Sequence, residues 1–160
     1  MSKIQIREAT VEDSSLILNF VKELAKFERA ASEVSTTVED IQRSIFSANS
    51  TVHALICSIN NKPIGFVVYF YNYSTWLGKN GLFLEDIYIT PKYRGRGAGK
   101  ILLKHLAKIA VSKGCGRFEL SVLDWNKPAI KFYESIGAKP LSEWIVYRLN
   151  GEALRDFANE

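Results

Sequence analysis

Seven consecutive residues concentrate the chemistry of this 160-residue chain: Arg94-Gly95-Arg96-Gly97-Ala98-Gly99-Lys100. Glycines at alternate positions leave the backbone bare where a ligand must come close. The stretch follows a strand-like run, Leu82–Ile89, and opens a helix-like run, Ile101–Val111. Unpaired N–H groups and the positive end of a helix dipole therefore converge on it. Arg94, Arg96 and Lys100 add full charges, and the whole is a seat for a diphosphate or polyphosphate. Spacing separates the known glycine loops. A Walker loop needs four residues between its glycines, then Lys and a hydroxyl residue for magnesium. Here Gly95 and Gly99 enclose three, and Ile101 follows Lys100, which excludes an NTPase. A dinucleotide fingerprint turns straight out of its strand with G-x-G-x-x-G. This run is one residue short and Thr90–Tyr93 intervene. A strand-to-helix turn that uses glycine only for tightness leaves the three cations unexplained.

A second signal lies in Asn126-Lys127-Pro128-Ala129-Ile130-Lys131-Phe132-Tyr133-Glu134-Ser135-Ile136-Gly137-Ala138. It begins with an Asn cap and a Pro in the first helical turn. Phe132 reads as packing against a sheet. The Tyr133 phenol, with a reference pKa of about 10, can also donate a proton to a thiolate whose conjugate acid lies at about 8.5.

The elements that must hold these residues alternate along the chain. Lys3–Glu8 alternates as a half-buried strand does. Thr10 caps a helix over Val11–Phe27, with Asp13 three residues on, and Thr37 caps a shorter one through Phe46. Thr51–Ile59 and Ile64–Tyr71 are strands joined at Asn60-Asn61-Lys62-Pro63. Asn72–Gly81 reads as a polar and aromatic loop that covers a small site. Then come the strand Leu82–Ile89, a helix Gly97–Lys113, a strand Arg117–Leu123, a helix Pro128–Ser135 ending at Gly137, a last strand Trp144–Leu149 and a helical tail Glu152–Ala158. This order predicts one α+β domain over 1–160, with a mixed, mostly antiparallel sheet and one parallel crossover.

Composition bounds the rest. The length suits one domain with a sizeable core. A net charge of +4 fits an anionic small ligand as well as weak nucleic-acid contact. Cys57 and Cys115 have no spacing motif, which points to reduced thiols and a cytoplasmic setting. His53 and His105 stand alone, so no metal site is expected. No run approaches membrane-spanning length, and no aromatic-basic platform points to nucleic acid.

The chain resembles the GNAT acetyltransferase superfamily. The family's Arg/Gln-x-x-Gly-x-Gly/Ala pattern stands as Arg94 through Gly99, and its N-x-x-A-x-x-F-Y-x-x-x-G-[FA] pattern as Asn126 through Ala138. Within it, the chain is similar to the spermidine/spermine and thialysine N-acetyltransferase group. The shared stretches are Lys22-Glu23-Leu24-Ala25-Lys26-Phe27-Glu28, Trp76-Leu77-Gly78-Lys79, Leu84-Glu85-Asp86 and Trp125-Asn126. The resemblance implies a three-layer fold with helices on both faces and two splayed central parallel strands, Leu82–Ile89 and Arg117–Leu123. It implies acetyl-CoA between them as co-substrate, without metal. The pantetheine arm would pair with backbone near Ile87, Tyr88 and Ile89, and the diphosphate would rest on Gly95, Arg96, Gly97, Ala98, Gly99 and Lys100 beside Arg94. Asn126 and Lys127 would flank the arm. Tyr133 would protonate the departing thiolate, and the family's general base falls on Glu85. A homodimer is also implied.

The base carries a physical difficulty. Reference values of about 4.3 for Glu and 10.4 for an alkylammonium make direct proton transfer uphill by about 8 kcal/mol. Burial must raise the acid or desolvation must lower the amine. Strand alternation puts Glu85 with Phe83 and Ile87, and Asp86 with Leu84 and Tyr88. A bulge shifts this parity, so Glu85 and Asp86 both stay open. On the amine side the candidates are Glu28, Trp76 and Glu143. Polyamine-acetylating relatives carry acids where this chain has Ser74 or Thr75 and Ile145. A diamine, thialysine or another amino-acid-like amine is favoured over spermine. A protein or peptide acetyltransferase and a non-catalytic acyl-CoA-binding module remain the alternatives.

Overall fold

The computed structural model describes residues 3–160, in two units, the first ending at Ser121 and the second running over Val122–Glu160. The first holds five strands, β1 Ile4–Glu8, β2 Val52–Ile59, β3 Lys62–Ser74, β4 Lys79–Ile89 and β5 Arg117–Leu120, in the spatial order of the chain. The first four pair antiparallel, and β5 runs parallel to β4. The sheet is mixed, as the sequence predicts, but the parallel pair lies at one side of it with β5 at the edge, not at the centre.

Helices α1, Ser14–Phe27, and α2, Val38–Ile45, cover one face. Ile17, Leu18, Phe20 and Ile41 pack there on Ala54, Ile56, Phe66, Val68 and Tyr88. Strand periodicity sends Leu55, Cys57, Val67, Leu82 and Leu84 to the other face, all buried. There helix α3, Ala98–Ser112, contributes Leu102, Leu103, Leu106 and Ala110. The caps read from sequence form. The Thr37 hydroxyl accepts from the Asp40 N–H at 3.1 Å, and the Asp40 carboxylate accepts from the Thr37 N–H at 2.9 Å. Thr10 opens a short 3-10 turn at Val11–Asp13 before α1, and Asp13 is bound by Arg7 at 2.7 Å.

Two expectations change. The loop Asn72–Gly81 is in fact the end of a long hairpin, with Asn72 opposite Gly81, Tyr73 opposite Asn80 and Ser74 opposite Lys79. Only Thr75–Gly78 turns, and the Gly78 N–H donates to the Ser74 carbonyl at 2.9 Å with φ at +62°. The hairpin was hidden because its end pairs polar with aromatic residues, which shows no apolar alternation. The second correction concerns Trp144–Leu149, which forms no strand. Trp144, Ile145, Val146 and Tyr147 are exposed. Their β propensity describes a fit to a pleated surface and acts only where a ladder partner is present. The same holds at Arg117–Leu123, where pairing stops at Leu120.

The second unit contains α4, Lys127–Ser135, and α5, Gly151–Ala158. The Asn126 carboxamide oxygen accepts from the Ala129 N–H at 3.4 Å and caps α4, and Gly137 at φ +93° ends it.

Candidate active site

The β4–β5 ladder ends at Leu84 opposite Leu120, so β4 continues from Glu85 to Ile89 without a β5 partner. Beyond Ile89 a turn at Pro91–Tyr93 leads into the glycine stretch, and α3 starts at Ala98. The first α3 hydrogen bond runs from the Ile101 N–H to the Gly97 carbonyl at 3.0 Å. The N–H groups of Ala98, Gly99 and Lys100 thus have no acceptor within the helix.

The glycines distinguish a ligand seat from a tight turn. Gly97 sits at φ +83°, a left-handed conformation that explains its identity by backbone strain alone. Gly99 has no such excuse: it is helical, and a Cβ built there meets nothing within 4 Å. Glycine at a helical position costs about 0.5–1 kcal/mol relative to alanine, and here neither packing nor φ demands it. A ligand approaching the bare backbone would demand it. Gly99→Ala is therefore expected to leave the fold as stable or more stable while weakening about tenfold the binding of the acetyl-CoA that the resemblance implies. Thermal melting and calorimetry on one sample check both signs, and unchanged affinity removes the close-approach role.

The acids are sorted by a bulge in β4. Val68 stands opposite Asp86 but Tyr69 stands opposite Leu84, which makes Glu85 the extra residue. Asp86 therefore shares the α1 face with Val68, Phe83 and Tyr88, and not with Leu84 as simple alternation expects. Glu85 is exposed and Asp86 half-buried. Burial, reinforced by the carboxylates of Glu85 and Glu28, pushes the Asp86 carboxyl up to about 6. Burial also raises Glu28, the residue that ends α1. The structure thus brings Glu28, Glu85 and Asp86 into one acidic neighbourhood beside the open length of β4.

Arg94 is placed differently from a free loop cation. Its Nε donates to the Ile89 carbonyl at 2.7 Å. Its guanidinium lies 5.0 Å from the Phe27 ring centroid and 5.3 Å from that of Tyr88. It fastens the start of the cradle to β4 and to the end of α1, next to Glu28. Nothing in the sequence signals this clamp except the aromatic residue before Glu28.

Other expected site residues are less gathered. Trp76 is 88% exposed at the hairpin tip, and on the order of 20 Å of strand separates the start of β4 from Asp86. Tyr133 lies on α4, its ring centroid 5.9 Å from that of Phe132. The Lys127 ammonium donates to the Asp124 carbonyl at 2.9 Å, and Glu143 is exposed. These last belong to the second unit. Cys57 is wholly buried, and burial pushes its thiol up to about 11, which makes it inert. Among the described residues no group of three His, Cys, Asp or Glu is arranged to hold a metal ion, and no helix is long and apolar enough to cross a membrane.

Comparison with known proteins converges on the same motifs. Residues 18–138 match the Acetyltransferase (GNAT) family. The thialysine N-epsilon-acetyltransferase of Mus musculus is 39% identical, over 99% of both chains, and that of Caenorhabditis elegans 37%, over 100% of both. L-ornithine N5-acetyltransferase of Arabidopsis thaliana is 41% identical over 77% of this chain and 51% of its own length. Among solved structures, an integron cassette protein from the mobile metagenome of V. cholerae superposes with a TM-score of 0.82 at 25% identity, covering 98% of each chain. A glycine-rich helix start after a strand whose β5 partner stops short, together with a family match over this span, leads to one conclusion: the chain belongs to the GNAT acetyltransferase family and is an acetyl-CoA-dependent amine N-acetyltransferase.

Proposed function

We propose that this enzyme acetylates the side-chain or terminal amine of a small, amino-acid-like or diamine substrate, with Asp86 as the proton acceptor. The observation that carries it is the half-buried Asp86, raised to about 6 and flanked by Glu28 and Glu85, beside the open edge of β4. Two features fit acetyl-CoA there. The edge from Glu85 to Ile89 offers backbone around Ile87, Tyr88 and Ile89, and Gly95–Lys100 offers bare amides to the diphosphate. When bound, acetyl-CoA supplies a thioester that is already activated. Asp86 withdraws the ammonium proton across a gap narrowed to about four pKa units, or roughly 6 kcal/mol before desolvation of the amine. The acidic neighbourhood holds the cation in place. The Tyr133 phenol returns a proton to the departing sulfur, and Asn126 and Lys127 border its helix. Glu85, exposed on the bulge, helps order water near Asp86 in this reading.

Relatives named for thialysine and L-ornithine act on amino acids that carry a primary side-chain amine. Ser74 or Thr75 at one position and Ile145 at another remove two anchors that a long polycation needs, each a charged hydrogen bond of about 1.5–3 kcal/mol. Glu28 remains as the amine-side acid, with Trp76 and Glu143 as the outer candidates.

The two units form one acetyltransferase domain in this reading, supported by a family match that crosses residue 121. The exposed apolar run at Trp144–Tyr147 supports a homodimer, and reduced cysteines support a cytoplasmic setting. A thiol-release screen with acetyl-CoA against diamines, polyamines, lysine analogues and peptides tests the substrate. Lysine analogues or diamines are expected to exceed spermine at least tenfold in kcat/KM; a peptide at the top of the ranking overturns the assignment. With the best amine, varying both substrates is expected to give intersecting lines, because Cys57 is buried with its thiol raised and neither cysteine lies in a motif suited to a nucleophile. Parallel lines refute direct transfer.

A further inference from the structure

The face of the sheet that carries Asp86 continues past Phe70 and Phe83 into a polar cluster. Phe83 stands opposite Phe70 on one side and Glu119 on the other. Two positions nearer the hairpin tip, Asn72, Gly81 and Arg117 stand side by side. Asn72 Nδ2 donates to Glu119 Oε1 at 3.3 Å, and Arg117 Nε lies 2.9 Å from the same oxygen. Arg117 Nη2 donates to the Tyr73 carbonyl at 3.1 Å. Gly81 makes this meeting possible, since a Cβ there would fall 2.4 Å from Asn72 Oδ1 and 2.9 Å from Arg117 Cγ. Asn72, Arg117 and Glu119 are all half-buried.

The protein alone does not satisfy this network. Among the described residues, the buried side-chain atoms without a hydrogen-bond partner are Asn72 Oδ1 and Arg117 Nε, the latter meeting Glu119 at ion-pair distance only. Both contacts to Glu119 fall on Oε1. Buried polar groups are paired as a rule, so each exception needs a reason. The sign of the charges supplies one. A diamine or polyamine brings a second ammonium, which the Arg117 guanidinium repels and for which Glu119 is already neutralised. An α-amino acid brings a carboxylate and an ammonium on one carbon, the complement of a guanidinium beside a carboxylate. Distance agrees. Glu119 stands opposite Phe83, three positions before Asp86, about 10 Å of strand that the bulge shortens. A lysine- or ornithine-length side chain with its amine at Asp86 leaves its α-carbon near Glu119.

We propose that Arg117, Glu119 and Asn72 form the subsite for the backbone end of an amino-acid acceptor. Arg117 takes the α-carboxylate, Glu119 takes the α-ammonium, and Asn72 holds Glu119 in place. The acceptor narrows from diamine to α-amino acid, which rests on the reading that Asp86 receives the reacting amine.

Thiol release from acetyl-CoA with matched amines tests it. L-ornithine is set against putrescine and L-lysine against cadaverine, each pair differing only by the α-carboxylate. The wild-type enzyme is expected to prefer each amino acid by about tenfold in kcat/KM, the difference one charge-assisted contact makes. Arg117→Gln is expected to shrink that preference below about twofold, chiefly by raising KM for the amino acid. Arg117→Lys keeps the charge but loses the planar fork, and is expected to restore the preference only in part. Equal use of the paired amines by the wild type, or preference for the diamine, overturns the subsite while leaving the transfer chemistry intact. So does a preference that survives in Arg117→Gln. Turnover of none of the four amines overturns the small-amine reading itself, and the subsite with it. Thermal melting of each variant separates a lost contact from a lost fold, and the wild-type comparison stands without either variant.

Discussion

Asp86→Asn is expected to lower turnover by about 10²–10⁴-fold, the range for removing a general base, without destabilising the protein above pH 6. The two halves of that result come from one cause. Burial and the carboxylates of Glu85 and Glu28 raise the folded Asp86 carboxyl from its ordinary 3.8 to about 6. Between those values the folded state binds more protons than the unfolded state, so stability falls as pH rises through that window and stays lower above it. A neutral amide removes that cost. A residue kept for structure does the opposite, because its loss lowers the melting temperature. The pH profile supplies a third readout. The base works deprotonated, so wild-type kcat/KM is expected to rise with pH through about 6, and that limb is expected to vanish in Asp86→Asn. Glu85→Gln is the control. It lies on the exposed bulge, and a loss of less than tenfold with the pH limb retained is expected. The reverse pattern, with Glu85→Gln inactive and Asp86→Asn active, transfers the role of base to Glu85.

Tyr133→Phe is expected to reduce turnover by a similar 10²–10⁴-fold while leaving the affinity for acetyl-CoA and the melting temperature close to wild type. The substitution removes one oxygen and keeps the ring that lies against Phe132. Position is supplied by α4, whose start is fixed by the Asn126 cap and Pro128. The proton must come from a group that is still protonated at working pH yet close in strength to a thiol, and a phenol meets both conditions. If Tyr133 is the acid, a thioester with a more acidic thiol as leaving group depends on it less, so the defect narrows with such a substrate. An unchanged rate in Tyr133→Phe removes the residue from the mechanism. Loss of acetyl-CoA binding instead makes it a contact residue.

Elements with a local signature were legible in the sequence. The capping pair Thr37–Asp40, the Asn126 cap and the α3 start after Gly97 formed where residue type and spacing put them, because each depends on hydrogen bonds within a few residues. The glycine-rich stretch that opens α3 was legible for the same reason, since alternate glycines and flanking cations are contiguous. What failed depended on partners distant in the chain. The hairpin end at Asn72–Gly81 looks like a loop in sequence because its pairing crosses strands, and Trp144–Leu149 has the composition of a strand although none of the described residues pairs with it.

The sequence by itself determined the family, the glycine-rich start of α3 and the presence of two adjacent acids, because those are matters of residue identity and short spacing. Only the tertiary structure decided which acid is buried. The bulge at Glu85 is a property of the β3–β4 register, and it turns Asp86 toward the α1 face and Glu28. Only the fold, likewise, set Arg94 between Phe27 and Tyr88. Desolvation and ring contact are sums over neighbours that a linear chain does not display, so the chemistry was written locally and its tuning was left to packing.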